Sequence, residues 1–114
     1  VKAIRRGEVW LADLEPTRGR EQSGERPVLI VSTDRFNQGR SRLVVAVPFT
    51  TRRWALPIHV EVRPPDGGLR EISFAMCEQV RSLAVDRLGP QPFGRVPAAV
   101  LDSVEDRLRL LLSL

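Results

Sequence analysis

One histidine, His59, and one cysteine, Cys77, stand in a chain of 114 residues. A lone cysteine cannot close an internal disulfide, and it rules out a zinc site built from several thiolates. A lone histidine leaves few other ligands and makes a two-histidine acid–base pair impossible within one chain. There is no GxGxxG, P-loop, GxSxG, CxxC or HExxH, so the usual sequence marks of dinucleotide binding, P-loop phosphate binding, serine hydrolysis, dithiol redox and zinc proteolysis are missing. No metal or cofactor is expected. No stretch approaches the roughly 20 apolar residues that span a bilayer. The longest apolar run, residues 43–49, is strand-length and interrupted by Pro48. With no charged-then-apolar leader, the expected address is the cytoplasm, without a membrane partner. Lysine is almost missing as well: of 18 basic residues only Lys2 is lysine.

The arginines that take its place are unevenly spread. Residues 1–53 hold 11 basic and 6 acidic side chains, a net of +5, while residues 54–114 hold 7 and 8, a net of −1. A genomic preference for arginine codons accounts for the total but not for the asymmetry. Arginine's planar fork suits bidentate phosphate binding, so a polyanionic partner is expected.

The length fits one domain, residues 1–114, with a core of modest size, and 42% hydrophobic content is ordinary for a globular protein. No repeat, low-complexity tract or linker interrupts it. Short apolar segments between turn signals predict strands over 8–14, 27–32, 43–50 and 57–62, then one long strand or two short ones over 72–83. Thr33-Asp34 is suited to cap a short helical turn, and residues 64–68 (PPDGG) form a strong turn signal. From Pro97 onward the period changes. Val100, Val104, Leu108 and Leu111 recur at helical spacing, with Leu101 and Leu112 widening the stripe. Pro97 suits the first helical position, and Glu105 and Arg109 are spaced to pair on the opposite face. The expectation is a mainly β protein with short helices: a small, strongly bent sheet or partial barrel closed by an amphipathic C-terminal helix.

Two segments carry candidate chemistry. In "GREQSGERPVLIVST", residues 19–33, a charged loop flanked by glycines leads into an apolar strand. Glycines make its backbone permissive, and Arg18, Arg20 and Arg26 can converge on a phosphate. Pro27 restricts Arg26 to extended conformations at the strand's entrance. From the residues alone, Arg26 is equally a salt-bridge partner for Glu21 or Glu25. In "VPFTTRR", residues 47–53, threonine hydroxyls and arginines follow an apolar strand, a set able to bind phosphate oxygens or simply to form a polar strand end. His59, alternating with apolar residues in "PIHVEV", reads as a structural histidine, and Glu61 and Glu71 as surface charges. Trp54 is either a core residue or an exposed ring able to stack on a base.

Together these segments resemble the MazF/PemK family of toxins from bacterial toxin–antitoxin pairs. The resemblance rests on "RGEVWLADLEPTRGREQSGERPVLIVS", "VPFTT", "EQVRSLAVDRL" and the amphipathic C-terminus, in the correct order and with sensible spacing. It implies an SH3-like curved barrel of the kind shared with CcdB, assembled as a homodimer. It also implies a metal-independent, sequence-selective endoribonuclease (an mRNA interferase) acting on single-stranded RNA and neutralised by an acidic antitoxin. By the same resemblance Arg26 and Thr50 are catalytic. Arg20, Glu21, Gln22, Thr51, Arg53 and Gln79 belong to the RNA-binding surface, with Glu21 a reserve candidate for general base. Arg20 departs from the smaller residue of many relatives and implies an added phosphate contact. The competing readings are a CcdB-like gyrase poison, disfavoured by a C-terminus that lacks an aromatic residue, and a non-catalytic RNA- or protein-binding module on the same fold.

Overall fold

The computed structural model describes residues 2–15 and 24–114. Its chain alternates short strands with turns: β1 (Glu8–Asp13), β2 (Glu25–Ile30), α1 (Asp34–Asn37), β3 (Leu43–Thr50), β4 (His59–Val62), β5 (Ser73–Met76), β6 (Arg81–Ala84), β7 (Gly94–Arg95) and α2 (Ala98–Leu112). The segment predicted over 72–83 is two strands, β5 and β6, parted by a 3₁₀ turn at Cys77–Gln79. Thr33 caps α1, its hydroxyl accepting from the Phe36 N–H at 3.3 Å.

All pairings are antiparallel, in the order β4-β5-β3-β2-β1-β7, with β6 on β3. Strand β3 is the hinge of this arrangement. One side of it pairs with β2, while the other pairs with β6 through residues 43–46 and with β5 through residues 49–50. Pro48 falls in the gap between those two pairings. A proline has no N–H to donate, and at that point neither β5 nor β6 forms a ladder with it.

Alternation along the strands sends side chains to two cores. Val9, Leu29, Val47 and Phe49 join Val60, Val62, Ala75 and Val104 of α2 on one face; Trp10, Val28, Ile30, Val44 and Ala46 join Ile4, Leu14, Leu83 and Leu88 on the other. A sheet covered on both faces explains why "PVLIV" and "LVVAV" read as continuous apolar runs. The sheet curls until its far ends meet. The 3₁₀ turn Asp66–Gly68, which follows β4, abuts β7 so closely that a Cβ on Gly68 would sit 2.1 Å from the Phe93 carbonyl oxygen. With φ at +71°, Gly68 also occupies a conformation that side chains resist.

Three expectations need correction. Strand β2 begins at Glu25, not 27, because Glu25 and Arg26 pair with Asp13 and Ala12 of β1. Pro97 precedes the helix as its cap, with ψ 157°, and α2 starts at Ala98. The apolar stripe of α2 is covered only through Leu108, leaving Leu111 43% and Leu112 54% exposed, since the helix outruns the sheet beneath it. Glu105 and Arg109 do pair, at 3.3 Å.

Candidate active site

Antiparallel pairing places directly opposed residues on the same face of a sheet. Strand β1 pairs Ala12 with Arg26, β5 pairs Phe74 with Thr50, and β4 pairs Glu61 with Phe74. Between β2 and β3 the ladder runs Val28 with Pro48 and Ile30 with Ala46. That ladder ends at Val28 and Pro48, with Arg26 and Thr50 each two residues beyond it on their own strands. Two short rows result: Ala12 with Arg26 across β1 and β2, and Thr50, Phe74 and Glu61 across β3, β5 and β4. By alternation both rows lie on the face of Trp10 and Val28, and Ala12 is itself part of that core.

Each member of these rows is held by its neighbours. Arg26 is half-buried within β2, immediately before Pro27, so its backbone is extended and its side chain leaves from a strand. Thr50 is buried, and its Oγ1 accepts from the Arg52 N–H at 3.2 Å. With that lone pair engaged, the hydroxyl proton remains available for an oxygen acceptor. The Arg53 guanidinium lies 4.8 Å from the Phe74 ring centre, and its Nη2 is 3.2 Å from Glu61 Oε1. On the other oxygen, Arg63 Nε donates to Glu61 at 2.6 Å. The hydrogen bond from Arg63, with Arg53 beside it, holds the Glu61 carboxyl below the usual carboxylate range.

Arg53 thus has two contacts at an exposed position, which sequence spacing does not reveal. Thr51 is exposed next to it. Gln79 sits in the 3₁₀ turn that packs on β3, between the parts of β3 paired with β5 and with β6. Arg20, Glu21 and Gln22 lie outside the described residues. Trp54 is 47% exposed, so it is not part of the core, and Arg52 stacks on its ring at 4.1 Å.

His59 is buried, and its Nε2 lies 2.8 Å from Glu78 Oε2; an ionised carboxylate only accepts, so the ring donates. It is a structural histidine. Cys77 is buried, and burial pushes its thiol up to about 11, so it remains a neutral thiol at ordinary pH. Among the described residues no three His, Cys, Asp or Glu side chains gather closely enough to hold a metal ion. Nor is any helix among them long and apolar enough to cross a membrane.

A small curled sheet carries Arg26 and Thr50 on neighbouring strands, with Arg52 and Arg53 following Thr50. The model of the family described as PemK-like, MazF-like toxin of type II toxin–antitoxin system matches residues 5–112. The chain belongs to that family. It is 40% identical over 116 residues to endoribonuclease MazF9 of Mycobacterium tuberculosis, covering 97% of this chain and 98% of that one. Its fold is similar to the crystal structure of MazF from Deinococcus radiodurans, with a TM-score of 0.87 at 27% identity over the whole of both chains. It is also similar to an endoribonuclease solved in complex with its cognate antitoxin from a mycobacterial species. There the TM-score is 0.79 at 30% identity, over 98% of this chain and 97% of that one. The curled, half-barrel sheet with a C-terminal helix is the MazF-like fold that the resemblance implied.

Proposed function

We propose that this toxin is a sequence-selective endoribonuclease that cuts single-stranded RNA without a metal ion, with Arg26 and Thr50 at its catalytic centre. What supports the reading is that Arg26 and Thr50 stand on adjacent paired strands, each two residues beyond the Val28–Pro48 pair. RNA brings its own nucleophile. The 2′-oxygen attacks the adjacent phosphorus as its proton leaves to a base; the bond from phosphorus to the 5′-oxygen then breaks, and that oxygen takes up a proton. The products are a 2′,3′-cyclic phosphate and a 5′-hydroxyl.

Between these states lies a phosphorane carrying more negative charge than the substrate. A guanidinium fixed on a strand stabilises that charge without reorganising, which is where a preorganised donor contributes most. The Thr50 hydroxyl, oriented by the Arg52 N–H, donates to a non-bridging oxygen. Guanidinium is a poor acid, so proton transfer falls to another group, for which Glu21 is the candidate. Arg20, Gln22, Thr51, Gln79 and Arg53 are assigned to RNA binding, Arg53 also meeting Phe74 and Glu61 beside the segment after Thr50. A homodimer would join two such surfaces into a longer basic groove, which an acidic antitoxin segment would fill. This activity belongs in the cytoplasm, where RNA is translated.

The test is digestion of a long defined RNA by the purified protein in EDTA, with mapping of 5′-hydroxyl ends. Cleavage should persist under chelation, recur at a short fixed sequence and leave cyclic phosphates. Activity abolished by EDTA and restored by magnesium would overturn the mechanism.

A further inference from the structure

We propose that Trp54 is a stacking platform for one nucleobase of the single-stranded RNA, held close to the cleavage centre; this rests on the endoribonuclease reading above. The protein has two tryptophans in opposite situations. Trp10 is 2% exposed in the core, whereas Trp54 is 47% exposed on the segment that follows Thr50.

An exposed indole on a loose loop would mean little, but this segment is pinned on both sides of the ring. Before it, the Arg52 N–H donates to Thr50 Oγ1 at 3.2 Å, and Arg53 lies 4.8 Å from the Phe74 ring centre and 3.2 Å from Glu61 Oε1. After it, the Pro57 carbonyl accepts from Arg107 Nε of α2 at 3.2 Å. Ala55, directly after the tryptophan, holds a positive φ of 55°, which a non-glycine residue adopts only when its surroundings impose it. On this segment the ring stays 47% exposed.

Arg52 stacks on the ring at 4.1 Å, so the platform carries a cation on the ring and leaves indole surface for a base. An aromatic face beside arginines is the chemistry that binds single-stranded nucleic acid, the ring taking a base and the cations its phosphates. Location fits as well. Four residues of extended chain reach at most about 14 Å, so Trp54 lies within a few nucleotides of a phosphate seated at Thr50. Stacking tolerates every base, so this contact adds affinity and register rather than a strict sequence requirement.

The experiment uses the full-length protein and a short RNA spanning the mapped cleavage site, methylated at the attacking 2′-oxygen so that it binds uncut. Tryptophan emission should be quenched saturably as this RNA is added, and the quench should vanish in Trp54→Ala, which leaves only Trp10 emitting. By fluorescence anisotropy, Trp54→Ala should bind the RNA roughly ten- to a hundredfold more weakly, and Trp54→Phe should recover much of the loss. Trp54→Leu keeps apolar bulk without a π-face, so it should behave like Trp54→Ala; it also serves if the alanine variant folds poorly. On unmodified RNA, the single-turnover rate at saturating protein should fall far less than the affinity. An unquenched emission, or affinities of Trp54→Ala and Trp54→Leu within twofold of the original, overturns the proposal while leaving RNA cleavage standing. Emission that instead tracks protein concentration, with Trp54→Ala sedimenting as a monomer, assigns the ring to a contact between copies and equally overturns it. Failure of the unaltered protein to cleave any RNA is the separate result that removes the endoribonuclease reading itself.

Discussion

Arg26 shows how much a single side chain owes to its backbone. Its cross-strand partner Ala12 and its neighbour Pro27 make it a strand residue, so truncating it removes a charge without removing a turn. We expect Arg26→Ala to remain folded and to bind RNA, while its single-turnover cleavage rate falls by roughly two orders of magnitude or more, as for loss of a transition-state donor. Arg26→Lys should rescue little, because an ammonium cannot reproduce the bidentate fork. Thr50→Ala should show a smaller defect of the same kind. Rates at saturating protein measure all three, and a near-normal Arg26→Ala would place the catalytic centre elsewhere. Arg53 follows a different logic. Its exposed guanidinium meets Phe74 and Glu61 at the surface, and we expect Arg53→Ala mainly to weaken RNA binding and its salt dependence.

Among the elements, the short ones control the shape. Strand β7 is two residues long, yet it and the turn Asp66–Gly68 bring the two ends of the sheet together. That junction tolerates no side chain: a Cβ at Gly68 meets backbone at 2.1 Å, and one at Gly94 meets the Gly68 nitrogen at 2.7 Å. Gly24 offers an internal comparison, with φ at +77° but nothing within 4 Å of its Cβ position. Gly24→Ala should therefore lose only the left-handed penalty of about 1–2 kcal/mol. Gly68→Ala should lose clearly more, because backbone must also move. Urea unfolding of both variants checks the order, and equal losses would show that the junction relaxes freely. Helix α2 is anchored by Val104 and by the Arg6–Glu105 pair, while its last turn projects Leu110 and Leu112 outward.

For the molecule as a whole, charge and curvature act together. The arginine-rich N-terminal half supplies β1, β2 and β3, which carry Arg26 and Thr50, while Phe74 and Glu61 come from β5 and β4. One protomer is only 12.8 kDa, and pairing two protomers would lengthen the surface offered to RNA. We expect a homodimer at micromolar concentration by sedimentation. Its antitoxin should carry an acidic, initially disordered segment that folds onto the basic surface. That segment should compete with RNA, and its affinity should fall as salt rises. An antitoxin that binds without displacing RNA would contradict this picture.

Local pattern was enough to reveal the strands around Val9, Leu29 and Val47, the cap at Thr33 and the amphipathic start of α2, because these depend on neighbours a few residues apart. It also singled out Arg26 and Thr50, through their place in segments that resemble a known family. It did not reveal that Arg26 lies inside β2, that β7 exists, or that Arg53 is bound to Phe74 and Glu61. Nor did it decide whether Trp54 is core or surface. Each of those depends on register between segments distant in the chain: Ala12 against Arg26, Gly94 against Gly68, Phe74 between Thr50 and Glu61. Periodicity records which side of its own strand a residue occupies. Which residue of another strand it meets is settled only when the sheet curls and both of its faces are buried.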